Sequence, residues 1–517
     1  MSAFNLVDQN WIPCIDLNGE SVEYGIRDTL LKAHLLREIL DASPLVTVAL
    51  HRLLLAILYR AYGSSRDFQA WKDLYVSGAF RHDEVTTYLN HWRDRFDLIS
   101  EHYPFYQMSQ LKTKEIPITR LAAECASGNN ATLFDHSDDQ EEVRWPGAKA
   151  ARWLVACQSF ALGGGKSESA TINGKKEPRP NFTDAIAPRG INIWLQGGTL
   201  FDTLMLNLPL STEDAPSLPP WELDDQNQYR DQSFGAMDCL TWQSRLVRLL
   251  PKDGTFSRMY FAQGQSADKS AVDPMNVYRS DGKTGRSPLK LDCSKAAWRD
   301  VHSILTIPAP GSQQRRPECF NLAARGRRDG VILPGMKCTA HVVGLASRKA
   351  KILLWRHDRL PVPVVILEDE NLIERLGRLI ENAENVGNEL SNRVRKIARL
   401  YLAPNGRKPD PKEIDSVVSA IDPRPAYWAR LEEHFSALLH NLPNDWEAYS
   451  NGWKSDSQQM ASAEWNKQVL AEARQALEEG IRSLGSTTRA IQAVARVRPD
   501  FGSNDLERKT KRGKNAP

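Results

Sequence analysis

Apolar residues follow two different spacings along this chain. Spacings of three and four residues, typical of helices with one buried face, recur over Arg27 to Asp41 and over Pro44 to Tyr62. Shorter runs with interleaved polar residues predict strands over Gly190 to Asn207 and over Leu240 to Leu250. The pattern therefore predicts an α+β fold, in which a large and mainly helical first domain also contains short β-sheets.

The character of the chain changes after Pro363, where a long amphipathic helix is predicted with Asp369 as its N-cap. Its apolar stripe consists of Leu372, Leu376, Leu379, Ala383, Val386, Leu390, Val394, Ile397 and Tyr401. Further helical patterns begin at Pro425, near Ser457 and at Ser486. Successive amphipathic helices with connections of modest length predict a C-terminal four-helix bundle.

The length of 517 residues and the apolar content of 41% are sufficient for more than one hydrophobic core. We predict a first domain over residues 1–365, the bundle over 366–500 and a basic, disordered tail over 501–517. The net charge is only +3, although 25% of the residues are charged. Any contact with a polyanion must therefore be local.

The seven cysteines are scattered without a C-x-x-C pair, which argues against a disulfide framework and a structural zinc site. The N-terminus lacks the basic and apolar regions of a signal peptide. His51, Arg52 and Arg60 interrupt the most apolar helix, so we expect it not to span a membrane. These features predict a soluble, cytoplasmic protein without a metal or cofactor.

A glycine-rich and cationic stretch, Ala161 to Arg189, is the main candidate for function. Gly163, Gly164 and Gly165 have no Cβ atoms, so another backbone or a nucleic-acid groove can approach them closely. The stretch also contains five cations, namely Lys166, Lys175, Lys176, Arg179 and Arg189. Its prolines argue against a helix or a central strand. We predict a loop that either contacts a polyanion or is an ordinary flexible surface segment.

Two short motifs allow an alternative interpretation as a nucleotide or phosphoester hydrolase. Gly165-Lys166-Ser167 matches the end of a phosphate-binding P-loop, but Phe160 stands where that motif needs its first glycine. His357-Asp358 matches part of a metal-dependent phosphohydrolase site, but no convincing set of further ligands accompanies it. We find no paired carboxylates and no nucleophile with its base that would favour an enzyme.

The chain contains, in this order, FNLVDQNWIPC near the N-terminus, LTWQSRLVRLL in the middle, DPMNVYR, WRHD after a turn, and the C-terminal helices. Together these segments resemble the CasA family, the large subunit of the type I-E CRISPR surveillance complex Cascade. The resemblance extends from about residue 4 to residue 500. Proteins of this family are not enzymes, and the resemblance implies the same for this chain.

The resemblance also implies which residues contact DNA. In the family, a glycine loop, a lysine finger and a wedge read the protospacer-adjacent motif (PAM) in duplex DNA from the minor-groove side. The glycine loop resembles Gly163, Gly164, Gly165 and Lys166. The wedge aligns with Arg348, Lys349 and Ala350, where Lys349 replaces the family's usual glutamine. The finger falls between Tyr260 and Asp273, with Lys269, Gln263 and Gln265 as candidates for its tip.

The implied partners follow from the same resemblance. A loop with Leu133, Phe134, Asp135 and His136 resembles the family segment that docks on the 5′ end of the guide RNA and on a neighbouring subunit. The residues alone leave open whether this apolar tip packs into its own domain. Expected partners are double-stranded target DNA, the guide RNA, the subunits CasB, CasC, CasD and CasE, and a recruited helicase-nuclease. The expected role is R-loop formation in antiviral defence.

Overall fold

The chain forms two compact units, Met1–Glu368 and Asp369–Pro517. The computed structural model describes residues 4–63, 67–122, 143–210, 218–223, 235–282, 285–333, 335–348, 351–403, 406, 408–450 and 460–497. The first unit mixes helices with small sheets and the second is helical. The predicted α+β class with a C-terminal helical bundle is confirmed.

The elements of the first unit, in chain order, are as follows. Its first half contains β1 (Ile12–Asp16), β2 (Ser21–Tyr24), α1 (Ile26–Leu31), β3 (Leu36–Ile39), α2 (Pro44–Ala61), α3 (Phe68–Ser77), α4 (His82–His91), β4 (Leu111–Lys112), β5 (Ile116–Pro117), β6 (Trp145–Pro146) and α5 (Gly147–Phe160). Its second half contains β7 (Ala170–Ile172), β8 (Lys175–Glu177), β9 (Asn192–Gln196), α6 (Leu200–Asn207), α7 (Ala236–Thr241), β10 (Arg245–Lys252), β11 (Thr255–Gln263), β12 (Tyr278–Asp281), β13 (Gly285–Pro288), α8 (Val301–Leu305), α9 (Glu318–Arg328), β14 (Lys337–Arg348) and β15 (Lys351–Pro363).

The described strands form five small sheets. Three of them have three strands each, in the orders β2-β1-β3, β15-β14-β9 and β4-β7-β8. A fourth sheet has the order β10-β11-β5, with β6 also paired to β11, and the fifth is the hairpin β12-β13. The paired strands run antiparallel. Sheets this small cannot bury their own faces, so the helices complete the core.

Helix α2 lies at the centre of the first unit. It is long and apolar enough to cross a membrane, but 89% of its apolar window is buried inside the protein. Its polar interruption Arg52 is also buried and forms a salt bridge with the carboxylate of Asp273, at 2.6 Å between Nη2 and Oδ2. Because an unpaired buried charge is very costly, this pair fixes the segment that begins at Asp273 against α2.

Three predicted element types in the first unit need correction. Arg27 to Asp41 is not one helix, because it contains the short α1 and then strand β3. Gly190 to Asn207 holds β9 followed by helix α6, which begins at a capping box formed by Thr199 and Asp202. Leu240 to Leu250 begins within helix α7 before β10 starts. Short elements such as these are decided by tertiary pairing more than by local spacing.

The described helices of the second unit are α10 (Glu370–Leu402), α11 (Pro411–Ile421), α12 (Arg424–Ser450), α13 (Met460–Arg482) and α14 (Thr488–Ala495). The side chain of Asp369 accepts hydrogen bonds from the backbone N–H groups of Asn371 and Leu372, as an N-cap does. Helix α11 is absent from the sequence prediction, although Asp410 and Glu413 form a capping box that marks its start.

Candidate nucleic-acid interface

The glycine loop begins where α5 ends and runs antiparallel to the segment around Phe182. Gly164 N–H donates to the carbonyl of Phe182 at 2.9 Å, and Phe182 N–H donates to the carbonyl of Gly165 at 3.2 Å. A Cβ atom on Gly163 would lie 2.7 Å from the backbone nitrogen of Asp184, so only glycine fits there. The loop is therefore a defined two-stranded arrangement.

The tip of this loop presents backbone to solvent. Gly165 has a φ of +84°, and no atom of the described residues lies within 4 Å of where its Cβ would be. Gly164, Gly165 and Lys166 are all exposed. A left-handed glycine with open space in front of it offers close access to backbone N–H and C=O groups. This geometry suits contact with a narrow groove.

A buried arginine, Arg245, holds the loop from below. Its guanidinium donates to the carbonyls of Leu162 and Thr183 at 2.8 and 3.0 Å, one on each side of the loop. It also donates to the carbonyl of Ser244 and to Oε1 of Gln263, at 2.8 and 3.0 Å. Burial lowers the pKa of Arg245 to about 10, so the group remains a cation at neutral pH.

Gln263 is the second residue that holds the loop. Its Oε1 accepts from the backbone N–H of Thr183 and its Nε2 donates to Oγ1 of the same residue, at 3.0 and 3.1 Å. Its side chain is fully buried, with a relative exposure of 0%. Gln263 therefore does not form the exposed tip of a finger, because both polar atoms of its amide are engaged inside the protein.

Lys269 lies on a surface loop beside the glycine loop. Arg189 donates to the carbonyls of Asp268 and Ala267, at 2.5 and 2.8 Å, and so clamps the backbone next to Lys269. Lys269 itself is exposed, and Gln265, the other candidate, is half-buried. The two loops are joined by a hydrogen bond of 3.1 Å between the hydroxyls of Thr183 and Ser266. The structure thus joins the segment opposite the glycine loop to the loop that carries Lys269.

The predicted wedge falls at the end of the β14–β15 hairpin. β14 ends at Arg348 and β15 begins at Lys351, so Lys349 and Ala350 lie outside the described residues. β14 pairs with β9 as far as Val343 opposite Asn192. The remaining residues to Arg348 extend the hairpin about 17 Å beyond the start of β9. This end of β9 lies three residues after Arg189 in the chain.

His357 and Asp358 are occupied by structural contacts. Nε2 of His341 lies 2.6 Å from Oε1 of Gln196, an atom that can only accept, so His341 carries its proton there. Its Nδ1 then accepts from Nε2 of His357 at 2.8 Å. Asp358 accepts the backbone N–H of Ala297 at 2.7 Å. The His357-Asp358 motif is therefore explained by hydrogen bonds that hold the folded β14–β15 hairpin in place.

The hydrolase alternative is not supported by this geometry. A P-loop connects a strand to a helix, whereas Gly165-Lys166-Ser167 follows helix α5 and precedes strand β7. Oγ of Ser167 accepts the backbone N–H of Gln263 at 2.9 Å. Within the described ranges, no group of three or more His, Cys, Asp or Glu side chains could hold a metal ion.

The docking loop with Leu133, Phe134, Asp135 and His136 lies outside the described residues. The stretch Ala161 to Arg189 is not entirely a loop, because Ala170–Ile172 and Lys175–Glu177 pair as a hairpin. The roles of Arg245 and Gln263 were missed, since nothing in their neighbouring residues shows that they meet the glycine loop.

The fold and the site define a class of protein with two units, α+β and helical, and a clamped backbone loop at a cationic surface. The chain belongs to the CRISPR-associated protein Cse1 family, because the model of that family matches it over residues 5–476. It is 31% identical to the CRISPR-associated protein CasA/Cse1 of Thermus thermophilus, over 97% of either chain.

Solved structures agree with this assignment. The crystal structure of Thermus thermophilus CasA superimposes with a TM-score of 0.79 and 26% identity, over 98% of this chain and 99% of that one. A chain of a CRISPR RNA-guided surveillance complex has the same fold, with a TM-score of 0.75 and 20% identity, over 98% of this chain and 100% of that one.

Proposed function

We propose that this protein is the non-catalytic large subunit of a type I-E RNA-guided surveillance complex in the cytoplasm. In this role it reads the PAM of double-stranded DNA from the minor groove, helps to open the duplex for pairing with the guide RNA, and recruits a helicase-nuclease. Support comes from its family membership and from the described surface around the glycine loop.

One observation carries the PAM-reading part of this proposal. The exposed backbone at Gly164 and Gly165 is held in place by Arg245 and Gln263, next to the exposed Lys166. The minor groove offers mainly acceptors together with the guanine amino group, so backbone N–H groups and lysines can distinguish broad classes of base pair. A clamped glycine loop can approach such a groove without a side chain in between.

The finger and the wedge complete the proposed reading head. Lys269 is the preferred finger because it is exposed on a clamped loop beside the glycine loop. The β14–β15 hairpin supplies the wedge, with Lys349 and Ala350 between its strands. Opening the first base step costs a few kcal/mol, which contacts to the displaced strands must offset.

The proposed partners are those of the family. We place Phe134 and its neighbours against the 5′ end of the guide RNA, and CasB, CasC, CasD and CasE in the same assembly. Sequence identity is then read by pairing between guide and target, while this subunit reads only the short motif. Such a division of labour suits a molecule whose net charge is only +3, because weak contacts allow many sites to be scanned.

The test is binding of the reconstituted guide-RNA complex to duplex targets across a library of flanking motifs, with and without this subunit. We expect tight, motif-dependent binding only when the subunit is present. Replacing Lys269 with alanine should reduce motif-dependent binding, whereas the same change at exposed Lys396 should not. Binding that is indifferent to the subunit would overturn the proposal.

A second measurement tests the wedge. Lys349 replaces a neutral glutamine, so we expect it to contact a backbone phosphate instead of stacking on a base. Lys349→Ala should weaken target binding and lower the slope of log K against log salt by about one. An unchanged slope would exclude a phosphate contact at this position.

A further inference from the structure

The sheet β4-β7-β8 has two different faces. Leu111 on β4 lies opposite Ile172 on β7, and both side chains are buried with Ala170 in one apolar cluster. This face packs against Ala262, Leu246 and Tyr260 of strands β10 and β11. The other face is directed away from that core.

Lysines occupy the outward face. Lys112 on β4 lies opposite Thr171 on β7, which lies opposite Lys176 on β8. Directly opposite residues share a face, so these three side chains form one row across the sheet. Lys112 and Lys176 are exposed. Two strand spacings separate their backbones by about 10 Å.

The surroundings of the row are also cationic. Three further lysines close in sequence are exposed, namely Lys114, Lys166 and Lys175. The exposed acids close in sequence are Glu115 and Glu168. Glu177 is paired with Arg179 at 3.4 Å. Among the described ion pairs, none involves any of the five lysines. Among the residues that the structure describes, this surface therefore has an excess of positive charge that no ion pair neutralises.

The chemistry of this surface favours a polyanion as its binding partner. The described large apolar side chains that are exposed lie outside β4, β7 and β8, so the row lacks the apolar centre that protein interfaces need. Lysine acts as a flexible point charge, which suits phosphates at variable positions. Duplex DNA carries one charge per about 1.7 Å of its axis, so a row about 10 Å wide meets several phosphates.

The position of the row identifies which polyanion it meets. Residues 167–169 connect the glycine loop to β7, which begins at Ala170. The sheet packs on β10 and β11, and Arg245 at the start of β10 lies opposite Gln263 at the end of β11. The same two strands therefore support the glycine loop and the lysine row. Because of this shared support, the row has a fixed position beside the loop.

We propose that the face formed by Lys112, Thr171 and Lys176 binds the phosphate backbone of the DNA duplex that continues outward beyond the PAM. This inference rests on the proposed function and adds a second DNA contact to it. The row reads no sequence, because lysine contacts to phosphates carry none. It contributes affinity that grows with the length of the flanking duplex and then saturates.

The experiment uses the complete complex with two targets that share one PAM and one protospacer. One target ends about two base pairs beyond the PAM and the other continues for about 20. We expect the wild-type complex to bind the long target about tenfold more tightly at low salt, with a steeper salt dependence. The variant K112Q/K176Q should lose this gain, and its salt slope on the long target should fall by about two.

Controls separate this proposal from the proposed function. K396Q/K412Q removes two exposed lysines of the second unit and should keep the gain from the flank. K112R/K176R retains the charges and should also keep it. PAM dependence is measured on the short target. If binding to that target does not depend on the PAM, this result overturns the proposed function alone. If K112Q/K176Q retains the full gain and slope on the long target, the lysine row does not bind the flanking duplex.

Discussion

At the scale of single residues, the candidate site depends on side chains that never reach the surface. Arg245 and Gln263 are buried, yet they set the position of Leu162 and Thr183 on the two sides of the glycine loop. A binding loop whose geometry is fixed before it meets DNA loses less entropy on binding than a mobile one. The supporting residues are therefore part of the proposed recognition mechanism.

The first prediction concerns Arg245→Met. The change removes the donor to the carbonyls of Leu162 and Thr183, and each buried polar group left unpaired costs about 1–3 kcal/mol. We expect lower stability and a smaller ratio of binding to PAM targets over targets without a PAM. Binding titrations below the melting temperature measure that ratio.

The control for Arg245 is another buried arginine. Arg316 donates to the carbonyls of Leu305 and Leu367, at 3.2 and 2.8 Å, and burial lowers its pKa to about 10 as well. Arg316→Met should destabilise the protein without changing PAM discrimination. If folded Arg245→Met discriminates as well as the wild type, Arg245 is only a stability residue.

The second prediction compares two glycines of the same loop. In Gly163→Ala the new methyl group meets the backbone of Thr183 and Asp184, so we expect a loss of stability of about 1–3 kcal/mol. In Gly165→Ala the methyl group has no described atom within 4 Å, and the positive φ costs about 1 kcal/mol. Gly165→Ala should nevertheless weaken target binding strongly, because its methyl group occupies the proposed approach of the groove.

Chemical denaturation and target binding measure the two effects. Gly254→Ala serves as the control, since Gly254 has a φ of +75° and open space but lies in the β10–β11 turn. It should share the small stability loss and leave binding unchanged. Normal binding by Gly165→Ala would show that DNA does not approach this backbone closely.

At the scale of elements, the β14–β15 hairpin is anchored through a cluster of aromatic and histidine side chains. His341 and His357 face each other across the two strands, with ring centroids 4.9 Å apart. Trp194 on β9 and His51 on α2 complete the cluster, and their rings lie 5.4 Å apart. The neighbouring charged groups are Glu38 and Arg359, 3.8 Å apart. The base of the proposed wedge is therefore fixed by neutral imidazoles.

The third prediction follows from the protonation of this cluster. Burial lowers the pKa of His51 and of His357 from 6.5 to about 4, and burial lowers the pKa of His341 further. The unfolded chain therefore binds more protons than the folded one between about pH 6.5 and pH 4. Stability is full above that window and falls as the pH decreases through it.

Amide hydrogen exchange measures this effect locally. We expect protection factors of β14 and β15 to decrease from about pH 7 to about pH 5 by more than those of helix α10 in the second unit. His357→Gln keeps a donor for His341 but does not titrate, so it should make the decrease smaller. Equal pH dependence in the wild type and this variant would contradict the assignment.

At the scale of the whole molecule, the chain consists of two compact units with separate cores. In the second unit, Trp465 is 2% exposed and donates from Nε1 to the carbonyl of Leu379 at 3.0 Å. In the first unit, Leu54 of α2 is fully buried. Each residue reports on the core of its own unit.

The fourth prediction is that the two units unfold in separate transitions. Trp465→Ala should lower the stability of the second unit by about 3–5 kcal/mol, and Leu54→Ala that of the first by about 2–5 kcal/mol. Differential scanning calorimetry should show one transition moving in each variant. If both transitions move together in both variants, the units unfold as a single cooperative system.

The sequence by itself determined the features that depend on local spacing. The long apolar stripe and the cap at Asp369 predicted α10. These signals are reliable because a helix depends on neighbours three and four residues apart. The family motifs were also visible in the sequence. Several of their residues, such as Asp273 and Trp11, are buried in the structure.

Only the tertiary structure decided which residues meet across long sequence distances. Arg245 reaches Leu162 across 83 positions, and Arg189 reaches Asp268 across 79. The row of Lys112 and Lys176 exists because β4 and β8 pair with opposite edges of β7. Such contacts arise from the packing of sheets and helices, and no local pattern of apolar and polar residues encodes them.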